Sequence, residues 1–349
     1  MENNNIFKYA TKELSQDAFI CWLVEWVNHK EKNKELYEVS KKFLDKIIEK
    51  YNKKNININL KVNNYNNVEI LIQYRNIDVL ISFENENNET IYILIEDKKL
   101  TSLHDDQINK YINKLIDKGI KRKNIITAYY KMFYEPDQIN VDVLIDRDFM
   151  LDVMENYHIK NDIYIDYYNY LSLIEYKCKN IKKFSLKEIS MEQYLQYELP
   201  NVYCSHSEKN EINKCGVGRV RGSVFYTWYI RGLDKNYFLD YLYLETNINK
   251  SKYELRIRGR FENKENGNLK YNEDERNKLQ DKIEKYFSNK SNIKFEKFNK
   301  RQANESMILA KIKLPFKESE EYKVSDLLKL MEELERILDL FIENKEYKN

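Results

Sequence analysis

Asp78 and the run Glu96-Asp97-Lys98, which closes the apolar stretch IYILI (91–95), are the residues placed to do chemistry. Charged residues commonly mark the exit of a strand to solvent, so the run by itself proves little. Spacing adds more. VEILIQY (68–74) and IDVLISF (77–83) read as strands joined by a tight turn at Arg75-Asn76, and TIYILIE (90–96) follows the loop ENENNE (84–89). If that loop is symmetric about residue 87, Phe83 faces Ile91 and Asp78 faces Glu96. Side chains so opposed lie about 4.5–5.5 Å apart at Cβ, where like charges repel. A divalent cation relieves that repulsion: Mg²⁺ takes oxygen ligands, commonly one or two carboxylates with water and phosphate completing the set. Lys98, two residues beyond Glu96, shares its face, whereas the Asp97 side chain points away and leaves its carbonyl available. Two acids, a carbonyl and a lysine around Mg²⁺ or Mn²⁺ suit hydrolysis of a phosphodiester, with Lys98 orienting the nucleophile or offsetting the developing charge.

The elements that must carry these residues follow from pattern. SQDAFICWLVEWV (15–27) reads as a buried helix capped by Ser15, and KELYEVSKKFLDKIIEKY (34–51) as an amphipathic one. The three strands come next, then a helix over 103–119 that ends at Gly119 and a strand over 124–134. Segments 148–157 and 191–199 also look helical. Only Gly119 of the seven glycines precedes residue 200, and Pro200 with the polar run SHSEKNEINK (205–214) marks the change. The expected division is therefore residues 1–200 and 201–349. The second part reads as α+β with antiparallel hairpins: strands over 224–230, 241–248 and 253–261, a helix over 274–287, a strand pair, and a final helix over 325–343.

This arrangement resembles the PD-(D/E)XK nuclease superfamily. The match rests on Asp78 in IDVLI and on Glu96-Asp97-Lys98 as the E-x-K element, with Ile77 where the motif's name has proline. Gln107 and Tyr111 in QINKY have the Q-x-x-x-Y spacing of many members and share one helical face, as would His104. The opening NIFKYATKELSQDAFICWLVEW is similar to that of a bacterial branch, and the likeness spans roughly residues 5–135. The resemblance implies an α/β restriction-endonuclease-like core, a mixed sheet flanked by helices, followed by the α+β domain. It implies that Asp78, Glu96 and the Asp97 carbonyl bind Mg²⁺, that Lys98 positions the water, and that Gln107 supports substrate or the metal's water. A further acid from the first helix is part of the same picture; Glu13 is the first choice and Asp17 the second, although acids near a helix start also serve the macrodipole.

DNA is the expected substrate, with RNA as the alternative, and restriction or anti-phage defence the expected setting. Two other readings stay open: a nuclease gated by a small nucleotide bound in 200–349, and a module that binds nucleic acid without cutting. In YELRIRGRF, Arg256, Arg258 and Arg260 fall on one face of a strand. With Arg219, Arg221, Arg231 and the aromatics Tyr226, Trp228 and Tyr229 they could track a phosphate backbone and stack bases; the plainer reading is the wet face of a sheet. CGVGRVRG (215–222) lacks the ending of a phosphate loop and reads as a basic loop. Cys204, His206 and Cys215 lack zinc spacing. The final helix presents Leu327, Leu330, Leu334, Ile337, Leu338 and Phe341 as a core stripe, part of which could serve a homodimer.

Composition bounds these readings. A net charge of +2 over 349 residues gives no global field for a polyanion, so any contact with nucleic acid must be local. The longest apolar stretch, AFICWLV (18–24), is too short to span a bilayer, so no membrane partner is expected. Four unpatterned cysteines and an opening without a signal peptide point to a reducing cytoplasm. The wealth of Asn, Lys, Ile and Tyr suggests an AT-rich, bacterial genome.

Overall fold

In the computed structural model, contacts divide the chain into two units, Met1–Lys177 and Cys178–Asn349. The structure describes residues 5–10, 12–56, 59–99, 103, 106–133, 139–155, 159–192, 195–196, 198–199, 201–202, 216–220, 223–234, 237–249, 252–260, 273–290, 294–297, 306–314 and 322–348.

The first unit is built on a five-stranded mixed sheet in the order β1 (Asn66–Tyr74), β2 (Ile77–Glu84), β3 (Thr90–Lys98), β4 (Ile125–Lys131), β5 (Val143–Asp146). The first three strands run antiparallel, and β4 and β5 join parallel to β3. Arg75 and Asn76 both take positive φ (53° and 70°), as a two-residue hairpin turn of the I′ kind requires. The β2–β3 register sets Phe83 on Ile91 and Val79 on Ile95, the symmetry about residue 87 expected from the loop.

Helices cover both faces. α1 (Glu13–Glu25) and α2 (Lys34–Lys54) pack on one side, with α1 against β1, β2 and β3. On the other side α3 (Gln107–Ile116) buries Ile108, Tyr111, Ile112 and Leu115 against Ile77, Leu80, Leu94, Ile125 and Tyr129. The exit of α3 is a glycine at φ +85° (Gly119). α4 (Arg147–Met154) and α5 (Asp162–Lys179) complete the unit. α1 begins two residues earlier than Ser15: Lys12 takes the cap position and no side chain caps the helix, so Ser15 lies inside the first turn. β5 and α5 escaped the sequence pattern, β5 because four residues carry too little alternation.

The second unit carries a six-stranded antiparallel sheet, β10-β11-β9-β8-β7-β6: β6 (Gly216–Val220), β7 (Ser223–Gly232), β8 (Tyr241–Asn249), β9 (Lys252–Arg260), β10 (Lys294–Lys297) and β11 (Ser306–Lys313). Among the described residues its helices include α6 (Leu186–Met191), α7 (Glu273–Lys290) and α8 (Val324–Glu343). Residues 195–196, 198–199 and 201–202 are helical as well, within and just beyond the helix expected over 191–199. Leu327, Leu334, Ile337, Leu338 and Phe341 of α8 are buried, as the stripe required, whereas Leu330 is only half-buried and Met331 takes the core position beside it. The basic-loop reading of 215–222 is corrected. Gly216–Val220 pairs with β7, its ladder overriding the poor strand propensity of two glycines. Residues around Phe184 and Ser185 bond to Tyr322–Val324, so the packing of this unit begins upstream of the composition change near residue 200.

Candidate active site

Residues from β2, β3 and α3 meet at the end of the first sheet. Alternation along β3 sends Glu96 and Lys98 to the α3 face and Asp97 to the α1 face. On the α3 face, Gln107 Nε2 donates to Glu96 Oε1 (2.5 Å) and to the Tyr111 hydroxyl (2.8 Å). The i, i+4 spacing of Gln107 and Tyr111 thus makes one hydrogen-bonded unit that α3 delivers to the strand end. The Lys98 ammonium contacts Glu96 Oε1, lies 3.3 Å from the Asp97 carbonyl oxygen and 4.0 Å from Asp78 Oδ2. A single cationic group therefore lies within 4.0 Å of all three oxygens that the sequence offers to a divalent cation. Asp78 is held from both sides: the Asp97 N–H donates to its Oδ2 (2.9 Å) and Gln73 Nε2 to its Oδ1 (3.0 Å).

Burial sets the electrostatics. Glu96 is 1% exposed, and its Oε2 has no hydrogen-bond partner. Burial pushes its carboxyl up to about 7, against the hydrogen bond from Lys98 and with the charge of Asp78 adding to the rise. Burial also opposes the charge on Lys98, but its bond to Glu96 and the nearby acids outweigh that and hold it above the usual lysine value.

The α1 face carries a second set. Gln16 Nε2 donates to Asp97 Oδ1 (2.7 Å), and Asp17 meets the same carboxyl. Burial first, then the charges of Asp17, Glu13 and Asp78, hold Asp97 well above the ordinary aspartate value. Burial and Asp78 push Asp17 up to about 7. Glu13 accepts from the Lys99 N–H (3.0 Å), so it secures the end of β3. Lys99 reaches the Tyr170 hydroxyl (2.9 Å), and burial keeps it below the usual lysine value.

The structure thus brings Asp78, Glu96, Asp97, Lys98, Gln107, Tyr111 and Glu13 to one strand end. His104 lies outside the described residues, as do Arg221, Cys204, His206 and Cys215. Arg219 falls within β6. Gln16, Gln73 and Lys131 were missed. Gln73 was within reach: a two-residue turn at 75–76 pairs Tyr74 with Ile77 and so sets Gln73 across from Asp78. Lys131, buried on β4, stands in register with Lys98. Gln16 had no local signal, because only the docking of α1 on β3 brings it to Asp97.

The nucleic-acid surface read on the second unit is corrected at Arg231, Arg256, Arg258 and the three aromatics. Arg256 is 11% exposed and pairs with Glu245 (3.2 Å) and Glu254; Arg258 bonds Glu245 and Ser306 (2.6 Å each). Both arginines are committed to internal carboxylates; of the three on β9, only Arg260 is exposed. Tyr226, Trp228 and Tyr229 are core residues, and Arg231 bonds Asp339 (2.8 Å).

Among the described residues no group of three or more His, Cys, Asp or Glu side chains is arranged to hold a metal ion. The cation-facing set is instead two carboxylates and a carbonyl. The orphaned Glu96 Oε2 and the ammonium already lodged among these oxygens make the donor set fit a hard divalent cation. No helix among the described residues is long and apolar enough to cross a membrane. Compared with family models, curated proteins and solved structures, the chain matches none.

Proposed function

We propose that this protein is a divalent-cation-dependent nuclease of the PD-(D/E)XK kind, hydrolysing DNA phosphodiester bonds in restriction or anti-phage defence. One observation carries the reading: the Lys98 ammonium contacts Glu96 Oε1 and lies within 4.0 Å of Asp78 Oδ2 and the Asp97 carbonyl, the set expected to hold Mg²⁺. A group of three oxygens that already recruits a cation, with a further buried carboxylate oxygen unpaired, favours a doubly charged ion over the single charge of lysine.

When bound there, Mg²⁺ or Mn²⁺ supplies Lewis acidity to the phosphodiester and charge balance to the two carboxylates. The chain's own residues do the rest. Asp97 N–H and Gln73 fix the Asp78 carboxylate; Gln107 fixes Glu96 and is itself oriented by Tyr111. Lys98, released from the carboxylates, orients the attacking water and offsets charge developing on the phosphoryl oxygens. Glu13 anchors the strand end that carries it.

The test is cleavage of supercoiled plasmid, linear duplex, single-stranded DNA and RNA with Mg²⁺, Mn²⁺ or EDTA. Asp78→Asn and Lys98→Met run beside wild type, with folding checked by circular dichroism. Metal-dependent cutting of DNA, reduced at least about 100-fold in each folded variant, is expected. Undiminished cutting by folded Asp78→Asn, or cutting in EDTA, would sink the reading; cutting of RNA alone would replace the substrate.

A further inference from the structure

A sheet's outer strands expose unpaired N–H and C=O groups, and proteins usually blunt them with lysine, proline, bulges or covering segments. The first sheet treats its two edges differently. β5 is only four residues long. Lys50 Nζ donates to its Leu144 carbonyl (3.1 Å), and Lys54 covers the Val141 carbonyl just ahead of it. β1 at the opposite edge is longer; its one register shift lies between Asn66 and Glu69, and the VEILIQY stretch contains neither lysine nor proline. Asn28 holds the Val68 carbonyl (3.0 Å) and Lys114 the Arg75 carbonyl (2.8 Å), so both ends of the strand are tied. Among the described residues, nothing outside the β2 ladder pairs with the backbone of 69–73. That open stretch carries consecutive aliphatic residues, with Leu71 44% and Ile72 51% exposed on opposite faces.

We propose that this edge is an interface with a second copy of the chain, the two β1 strands pairing antiparallel about Leu71. The strand is self-complementary in that register. Leu71 meets Leu71 and Ile70 meets Ile72, while Glu69 falls opposite the neutral Gln73, whose φ of 53° closes the regular stretch. Sliding until Glu69 faces Glu69 sets like charges against each other, which cross-strand pairs do not tolerate. An isologous contact of this kind closes on itself as a dimer and leaves only the two short β5 edges, each partly covered by lysines. Its two-fold axis runs perpendicular to the sheet, so both candidate sites open on the same face of one continuous sheet. The interface itself is independent of the nuclease reading.

Sedimentation equilibrium of the full chain, from low to high micromolar concentration, tests it. Wild type should reach a dimer, and Leu71→Lys, which opposes two lysines on the axis, should weaken association at least about tenfold while staying folded. Hydrogen exchange on wild type needs no variant: the amides of 69–73 should gain protection as concentration rises. A wild type that stays monomeric throughout, association untouched by a folded Leu71→Lys, or exchange at 69–73 that ignores concentration would each overturn the proposal.

Discussion

Gln73 spends backbone strain to reach the site. Its φ is +53°, in the left-handed region, where a side chain costs about 1–2 kcal/mol. Strain of this kind persists where surrounding structure enforces it, and here the strained residue donates to Asp78 Oδ1. With the Asp97 N–H on Oδ2, the carboxylate cannot rotate away. Gln73→Gly should therefore separate stability from binding. Removing the side chain relieves the strain, so the denaturant midpoint should hold or rise. Affinity for Mn²⁺, measured by titration with electron paramagnetic resonance, should fall about tenfold, as for other partners that orient a ligand. Unchanged Mn²⁺ affinity would reduce Gln73 to a piece of the hairpin.

At the scale of elements, the packing of α1 on β3 sets acid against acid. Asp17 sits beside Asp97 with Glu13 one turn before it, and burial with the charge of Asp78 pushes its carboxyl from 3.8 to about 7. A carboxyl whose folded value is raised holds a proton that the unfolded chain has already released. Its contribution to stability is therefore greatest on the acid side and is lost as pH rises through about 7. Asp17→Asn cannot ionise. In EDTA its denaturant midpoint should match that of wild type near pH 4 and exceed it at pH 8. A difference that does not change with pH would mean that the packing of α1, and not charge, governs the position. α3 has the opposite character: its buried face is apolar and satisfied, and its polar start reaches Glu96 through Gln107.

Across the whole molecule, the two sheets handle charge differently. The first collects carboxylates at one end with fewer cations than they need. The second balances its own: Glu245 and Glu254 lie among Arg256, Arg258 and Lys311, with Lys311 Nζ 2.8 Å from Glu254. Arg256→Ala breaks a largely buried pair and should cost about 3 kcal/mol in urea unfolding, while leaving the DNA binding that the proposed function requires unchanged. Lost DNA binding at full stability would return Arg256 to a phosphate-contacting role.

Local pattern and hairpin symmetry sufficed to place Asp78 opposite Glu96, to put Lys98 on the same face, and to set Gln107 and Tyr111 one helical turn apart. These relations obey the period of a strand, the length of a loop and the pitch of a helix, and all are written in neighbouring residues. Tertiary structure alone decided what lies behind Asp97, since Gln16 and Asp17 reach it only when α1 docks across a long sequence separation. It also decided the fate of the aromatics on β7. A register shift between Thr227 and Tyr229 breaks the alternation, so that Trp228 and Tyr229 are both buried although they are neighbours in sequence. The arginines of β9 needed a partner strand as well: pairing with β8 sets Glu245 against Arg256, and a buried carboxylate claims the charge that the sequence alone left free for phosphate.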